Sequence, residues 1–194
     1  MTDPTSDPLR KLYRRPGFLL RRAHQLSVAI FEAACQALAL TPAQFGVLTV
    51  VSQSQDIDQS TLSRALGFDR VTTLHVVRLL TQRGLLVRER CERDGRRLRL
   101  MLTAVGAATL TEAQACADSA HDHLLAPLAP AEQDQLIALL GQLCAGLEPA
   151  ADSRTPAHAR APVWRAAVKL FYTEKALAND EFSTFDPQVA PAEL

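Results

Sequence analysis

Arginine dominates the chemistry available to this chain. Between residues 60 and 100 every basic group is an arginine, and against four acids they leave a net charge of +6. Residues 1–59 carry +1 and residues 101–194 carry −7, so a net charge of zero hides a cationic block in the middle. Such a block either faces a polyanion or is a solvated surface balanced by the acidic part. Spacing adds what counting cannot. At 100° per residue, Thr73, Val76, Val77 and Leu80 fall on one side of a helix. The opposite side carries Val71, Leu74, His75 and Arg78, with Arg70 on its flank. Two apolar residues among cations make a poor solvent face. In a DNA major groove Val71 and Leu74 can touch thymine methyls, Arg70 can pair with guanine O6 and N7, and His75 can donate to a base edge or a phosphate. The alternative is that Val71 and Leu74 pack on a neighbouring helix.

A second set of donors lies near the start of the chain. Arg21, Arg22, His24 and Gln25 offer hydrogen bonds to a carboxylate or phenol, and Phe18, Phe31 and Phe45 offer walls for a ring. The same arginines can equally be solvated, and His24 can be a core or interface histidine. Other chemistry finds little support. There is no glycine-rich phosphate loop and no Gly-x-Ser-x-Gly, so no enzyme is expected. His121 and His123 are two apart, a spacing that points them away from each other on a helix, so no metal site is expected. Cys35, Cys91, Cys116 and Cys144 contain no CxxC pair, and no cofactor is implied.

These residues need elements to hold them. Hydrophobic residues make up 47% and aromatics only 5%, with Ala and Leu abundant, which favours helices. No apolar run reaches membrane-spanning length and Met1–Asp7 lacks the marks of a secretory signal, so a cytoplasmic protein without membrane contact is expected. Residues 1–15 are polar and read as a flexible arm. Residues 16–39 read as a long helix. Thr41-Pro42-Ala43-Gln44 is a capping box that opens the next helix, running to about Gln53. Asp56-Ile57-Asp58 is a short connection. Asp58 can cap a short helix closed by Gly67, and Asp69 caps a second that stops at Gly84. Period-two alternation at Leu98, Leu100 and Leu102 marks a strand. Leu86–Cys91 can pair with it across an Asp94-Gly95 turn. Thr103 caps a helix to about Leu125, with Ala113, Ala117, Ala120 and Leu124 as a narrow stripe suited to close helix packing. A further helix spans 131–147. Residues 148–162 read as a Pro/Ala linker, and 163–194 as a partly helical extension.

Two helices joined by a tight turn and followed by an Arg-rich hairpin form a winged helix-turn-helix. Its second helix fits the major groove, and an Arg at the hairpin tip can reach the minor groove. Residues 16–147 resemble a MarR-type transcriptional regulator. The likeness is carried by Asp58–Leu66, by Asp69–Thr73 through Leu80 to Gly84-Leu85-Leu86, and by Asp94-Gly95-Arg96-Arg97 before Leu102-Thr103-Ala104-Val105-Gly106. The family's wing usually reads Asp-Arg-Arg, and here Gly95 replaces the first Arg. The resemblance implies a mainly α fold with a DNA-binding lobe at about 42–102. Helices at about 16–39 and 103–147 then build a homodimer. It also implies that Arg96 enters the minor groove and that Asp94 orients it. Pro16–Gln25 and Asp56–Gln59 resemble the branch that controls breakdown of aromatic acids, in which an aromatic carboxylate or its coenzyme A thioester releases the repressor. The branch that senses organic hydroperoxides keeps a Cys near the start of the first helix, where this chain has Gly17.

The expectation is therefore a homodimeric repressor on a palindromic operator in double-stranded DNA, answering a small aromatic effector. Arg70, Val71, Thr72, Leu74 and His75 read bases. Gln59, Ser60 and Arg78 hold phosphates, and Asp94, Arg96 and Arg97 form the wing tip. Redox sensing, or non-specific DNA binding without a ligand, is the alternative.

Overall fold

The computed structural model describes residues 8–54, 57–90 and 98–147. The described elements are α1 (Pro8–Tyr13), α2 (Pro16–Ala34), α3 (Pro42–Ser52), α4 (Gln59–Leu66) and α5 (Arg70–Gln82). They continue with β1 (Leu86–Arg90), β2 (Leu98–Leu102), α6 (Ala104–Leu125) and α7 (Pro130–Leu147). The protein is a mainly helical winged helix-turn-helix. The wing tip with Asp94, Arg96 and Arg97, and everything after residue 147, lie outside the described residues. The chain divides into compact units of residues 1–140 and 141–194, and only 141–147 of the second are described.

Local chemistry sets most boundaries. Thr41 Oγ1 accepts from Gln44 N at 3.3 Å and Gln44 Oε1 accepts from Thr41 N at 3.2 Å, the reciprocal box that starts α3. Asp58, Asp69 and Thr103 each cap the helix that follows. Gly67 (φ 65°) and Gly84 (φ 70°) sit in left-handed geometry at the exits of α4 and α5, where a side chain would be strained.

Three features differ from the sequence expectation. Pro8–Tyr13 is a helix rather than part of an arm. Its Tyr13 ring meets Phe18 edge-on at 5.2 Å, a contact that polar composition does not reveal. The long first helix stops at Ala34, five residues short of the expected end, and a 3-10 turn at Gln36–Leu38 closes on Ala39 in left-handed geometry (φ 47°). Finally, Ile57 is more than a connector. Leu100 N donates to Ile57 O at 2.9 Å, adding a bridge to the edge of β2.

The core lies under the winged lobe. Leu48, Leu62, Leu80, Leu86, Val47 and Val77 are fully buried there. Phe31 and Cys35 of α2 and Ala113 and Ala120 of α6 complete the cluster. The small-residue stripe of α6 therefore packs within its own chain, largely along α2. Gly106 explains the turn into α6. A Cβ there would stand 2.0 Å from the Leu85 carbonyl oxygen, so the helix can start this close to the exit of α5 only without a side chain.

Candidate nucleic-acid interface

The turn from α4 to α5 is built from side-chain caps. Asp58 accepts from Thr61 N at 2.8 Å and starts α4. Ser63 Oγ donates to Phe68 O at 2.7 Å and pins the turn beyond Gly67. Asp69 Oδ1 then accepts from Val71 N and Thr72 N, each at 2.8 Å, and its Oδ2 accepts from Thr72 Oγ1 at 2.6 Å. The Thr72 hydroxyl and amide, joined by the Val71 amide, hold the Asp69 carboxyl below the ordinary aspartate range against an opposing effect of burial. The Thr72 hydroxyl proton is thereby committed to the cap, which leaves its methyl and its oxygen lone pairs for any other contact.

The two faces of α5 separate as the periodicity requires. Thr73, Val76, Val77 and Leu80 are buried. Arg70, Thr72, His75 and Arg78 are exposed. Val71 is 77% exposed and Leu74 49% exposed, so neighbouring helices within the chain leave both open. Ser60 is exposed and Gln59 half-buried on the first turn of α4.

In the hairpin, Leu86 faces Leu102 and Arg90 faces Leu98 in antiparallel register. Glu89 lies opposite Arg99, and their side chains pair at 3.1 Å. That contact takes Arg99 out of the set of open cations. Arg88 and Arg90 are exposed on β1, two cations that the sequence reading did not assign. Their signal was the Arg-Glu-Arg alternation at 88–90, which puts both arginines on one face of a strand.

The residues assigned to a ligand fall into two groups within one chain. The Phe31 and Phe45 rings meet at 5.5 Å, inclined at 48°. Phe18 pairs instead with Tyr13, and it lies thirteen positions from Phe31, about 20 Å along the helix. On α2 the His24 position shares the face of Phe31 and Cys35, with Arg21 beside it. Phe18, Arg22 and Gln25 point to another side. All four polar residues are exposed. A groove of about 400 Å³ between α2 and α6, lined by Leu26, Ile30, Ala33, Ser119 and His123 among others, was not foreseen. It is made by residues distant in sequence, which no local pattern joins.

Among the described residues no cluster of three metal-ligating side chains occurs. No described helix is long and apolar enough to cross a membrane. Burial and the neighbouring Cys116 push the Cys35 thiol up to about 11, so it is protonated at neutral pH.

Comparison with known proteins extends this geometry. Residues 40–97 match the model of the MarR family. A Thauera aromatica protein described as a candidate regulator of the hcr operon is 32% identical over 148 residues, covering 74% of this chain and 84% of that protein. A solved transcriptional regulator from Pseudomonas aeruginosa superposes with a TM-score of 0.65 at 36% identity, covering 68% of this chain and 98% of that one. The repressor CouR, solved on a 23-mer DNA duplex, gives 0.65 at 32% identity over 69% of this chain and 95% of its own. BpsR of Bordetella bronchiseptica, whose DNA binding is regulated by 6-hydroxynicotinic acid, gives 0.64 at 31% identity over 67% and 93%.

Proposed function

Because this chain belongs to the MarR family of transcriptional regulators, we propose that it is a homodimeric repressor of genes for aromatic-compound catabolism. An aromatic carboxylate, or its coenzyme A thioester, releases it from a two-fold operator. The observation that carries the DNA reading is the open face of α5. Val71 and Leu74 stand exposed between Arg70, His75 and Arg78, and this mixture suits base edges and phosphates together. Arg70, Val71, Thr72, Leu74 and His75 then read the major groove. Gln59, Ser60 and Arg78 hold phosphates, joined by Arg88 and Arg90. Arg96 takes the minor groove with Asp94 and Arg97 beside it.

Dimerisation is supported by apolar residues of α7 that stay exposed. Leu136, Leu139, Leu140 and Leu143 repeat at helical spacing on α7, and no residue of α7 is buried. The effector class is supported by relatives such as BpsR, whose DNA binding is regulated by 6-hydroxynicotinic acid. The raised Cys35 thiol weighs against redox sensing through that residue.

Binding to a selected operator and to random duplex DNA, across a salt series, tests the reading. If about eight counterions are released, affinity falls on the order of a thousandfold or more between roughly 50 and 200 mM salt. The operator should also be preferred to random DNA by at least about a thousandfold. A steep salt response with no sequence preference would move the protein to the non-specific class. A thermal-shift screen of aromatic acids and their coenzyme A thioesters addresses the effector, since a bound ligand stabilises by about 2.7 kcal/mol at a hundredfold excess over its Kd.

A further inference from the structure

Arg83 is the one arginine of the α5 region whose side chain turns away from the open face and grips the rest of the fold. It sits at the C-cap of α5. Its Nη1 donates to Ala39 O at 2.8 Å and to Gln44 Oε1 at 3.4 Å, and its Nη2 donates to Leu38 O at 2.7 Å. The two carbonyls belong to the turn that ends the α2 segment. Ala39 is the only residue other than glycine with positive φ among those described, so this turn costs backbone energy and gains from an outside clamp. Gln44 also accepts from Thr41 N, which ties the start of α3 into the same joint.

The next residues are held from the opposite direction. Leu85 N donates to Leu80 O at 2.9 Å, and Thr103 N donates to Leu85 O at 3.1 Å. Thr103 Oγ1 donates to Gly84 O at 2.6 Å. The bare Gly106 accepts the Leu85 carbonyl against its Cα. The exit of α5 is thus joined to the turn between α2 and α3 on one side and to the start of α6 on the other.

We infer that Arg83 is a positioning residue for DNA recognition, fixing the angle between α5 and α2 and so the separation of the two recognition helices in the dimer. This rests on the dimeric reading above. An arginine suits the task because its planar fork spans two successive carbonyls at once. A lysine offers a single ammonium and cannot hold both in one rigid geometry. A C-cap serving helix stability alone would leave spacing selectivity untouched.

The test uses the full chain and an operator selected from random duplex DNA by the native protein. The half-sites are then moved apart or together by one base pair, about 3.4 Å and about 35° of rotation. The native protein is expected to lose at least about tenfold in affinity on either change. Arg83→Met should bind the original operator more weakly, but its penalty for altered spacing should shrink to about threefold or less. Arg83→Lys, which keeps the charge and most of the stem, should fall between the two, and it replaces Arg83→Met if that variant does not fold. An unchanged spacing penalty in a folded variant overturns the inference, whatever happens to overall affinity. A selection that returns no two-fold site overturns the dimeric reading and the inference with it.

Discussion

The winged lobe and α7 treat apolar surface in opposite ways. In the lobe, Val47, Leu48, Leu62, Val77 and Leu80 are fully enclosed by their own chain. On α7, Leu139 stays 56% exposed and Leu147 76% exposed, and no residue is buried. The lobe is complete before any partner arrives, so the face proposed to read DNA has a defined shape. The helix α7 keeps an apolar stripe exposed, the surface proposed for a second copy. Exposed apolar residues carry different messages in the two places. Val71 and Leu74 stand among arginines and a histidine, whereas the α7 leucines stand mainly among other apolar residues.

The sharpest way to break this comparison is in the core. Leu48→Ala should cost about 2–5 kcal/mol, because the packed lobe cannot collapse into the space. Leu139→Ala should change the thermal midpoint of dilute protein far less. Equal shifts would show that α7 is as enclosed as the lobe.

Charge on α7 should act on assembly rather than folding. Leu139→Glu combined with Leu143→Glu places two carboxylates one turn apart on the exposed stripe. Sedimentation at micromolar protein should move from dimer to monomer with helix content retained. Operator affinity should then fall at least about tenfold, or about 1.4 kcal/mol. A variant that sediments as the native protein does would place the dimer contact elsewhere.

Within the reading face the contrast is between bases and phosphates. Arg70→Ala should cost about 1–3 kcal/mol at one base pair and relax the preference there. Arg78→Ala should weaken all sequences alike and lower the salt slope by about one. Equal, sequence-independent losses from both would make Arg70 a phosphate clamp.

The smallest effect concerns the cap of α5. The Asp69 carboxyl has a depressed pKa, so what it adds to the helix is present above the ordinary aspartate value and is lost only as pH falls through the lowered one. The Thr72 amide resonance should hold its position on acidification until below the ordinary range and then shift. Because Asp69 is open to solvent, the change in overall stability should be slight. A titration of that amide at the ordinary aspartate value would mean that the cap is not formed in solution.

Much of this molecule was legible because its signals are local. Thr41, Asp58, Asp69 and Thr103 cap where their side chains reach amides two or three residues on, and that reach is a property of the residue type. The buried face of α5 followed from the helical period alone. That Leu86–Arg90 pairs with Leu98–Leu102 followed from alternation and a turn signal, whereas the register, with Leu86 opposite Leu102, came only with the structure.

Tertiary structure decided whatever depends on residues far apart in the chain. The small stripe of α6 announced close packing but not its partner, and α2 of the same chain supplied it, because knobs and gaps match only in space. The rings read as walls for a ligand divided, with Phe31 on Phe45 and Phe18 on Tyr13, because thirteen helical positions separate Phe18 from Phe31 along α2. Arg83 looked like one more cation of a basic block, yet its guanidinium bonds Leu38 and Ala39 across more than forty residues. The sequence determined that this chain carries a cationic block in its middle. Which arginines face outward, and which bind the fold together, depended on where the backbone carbonyls came to lie.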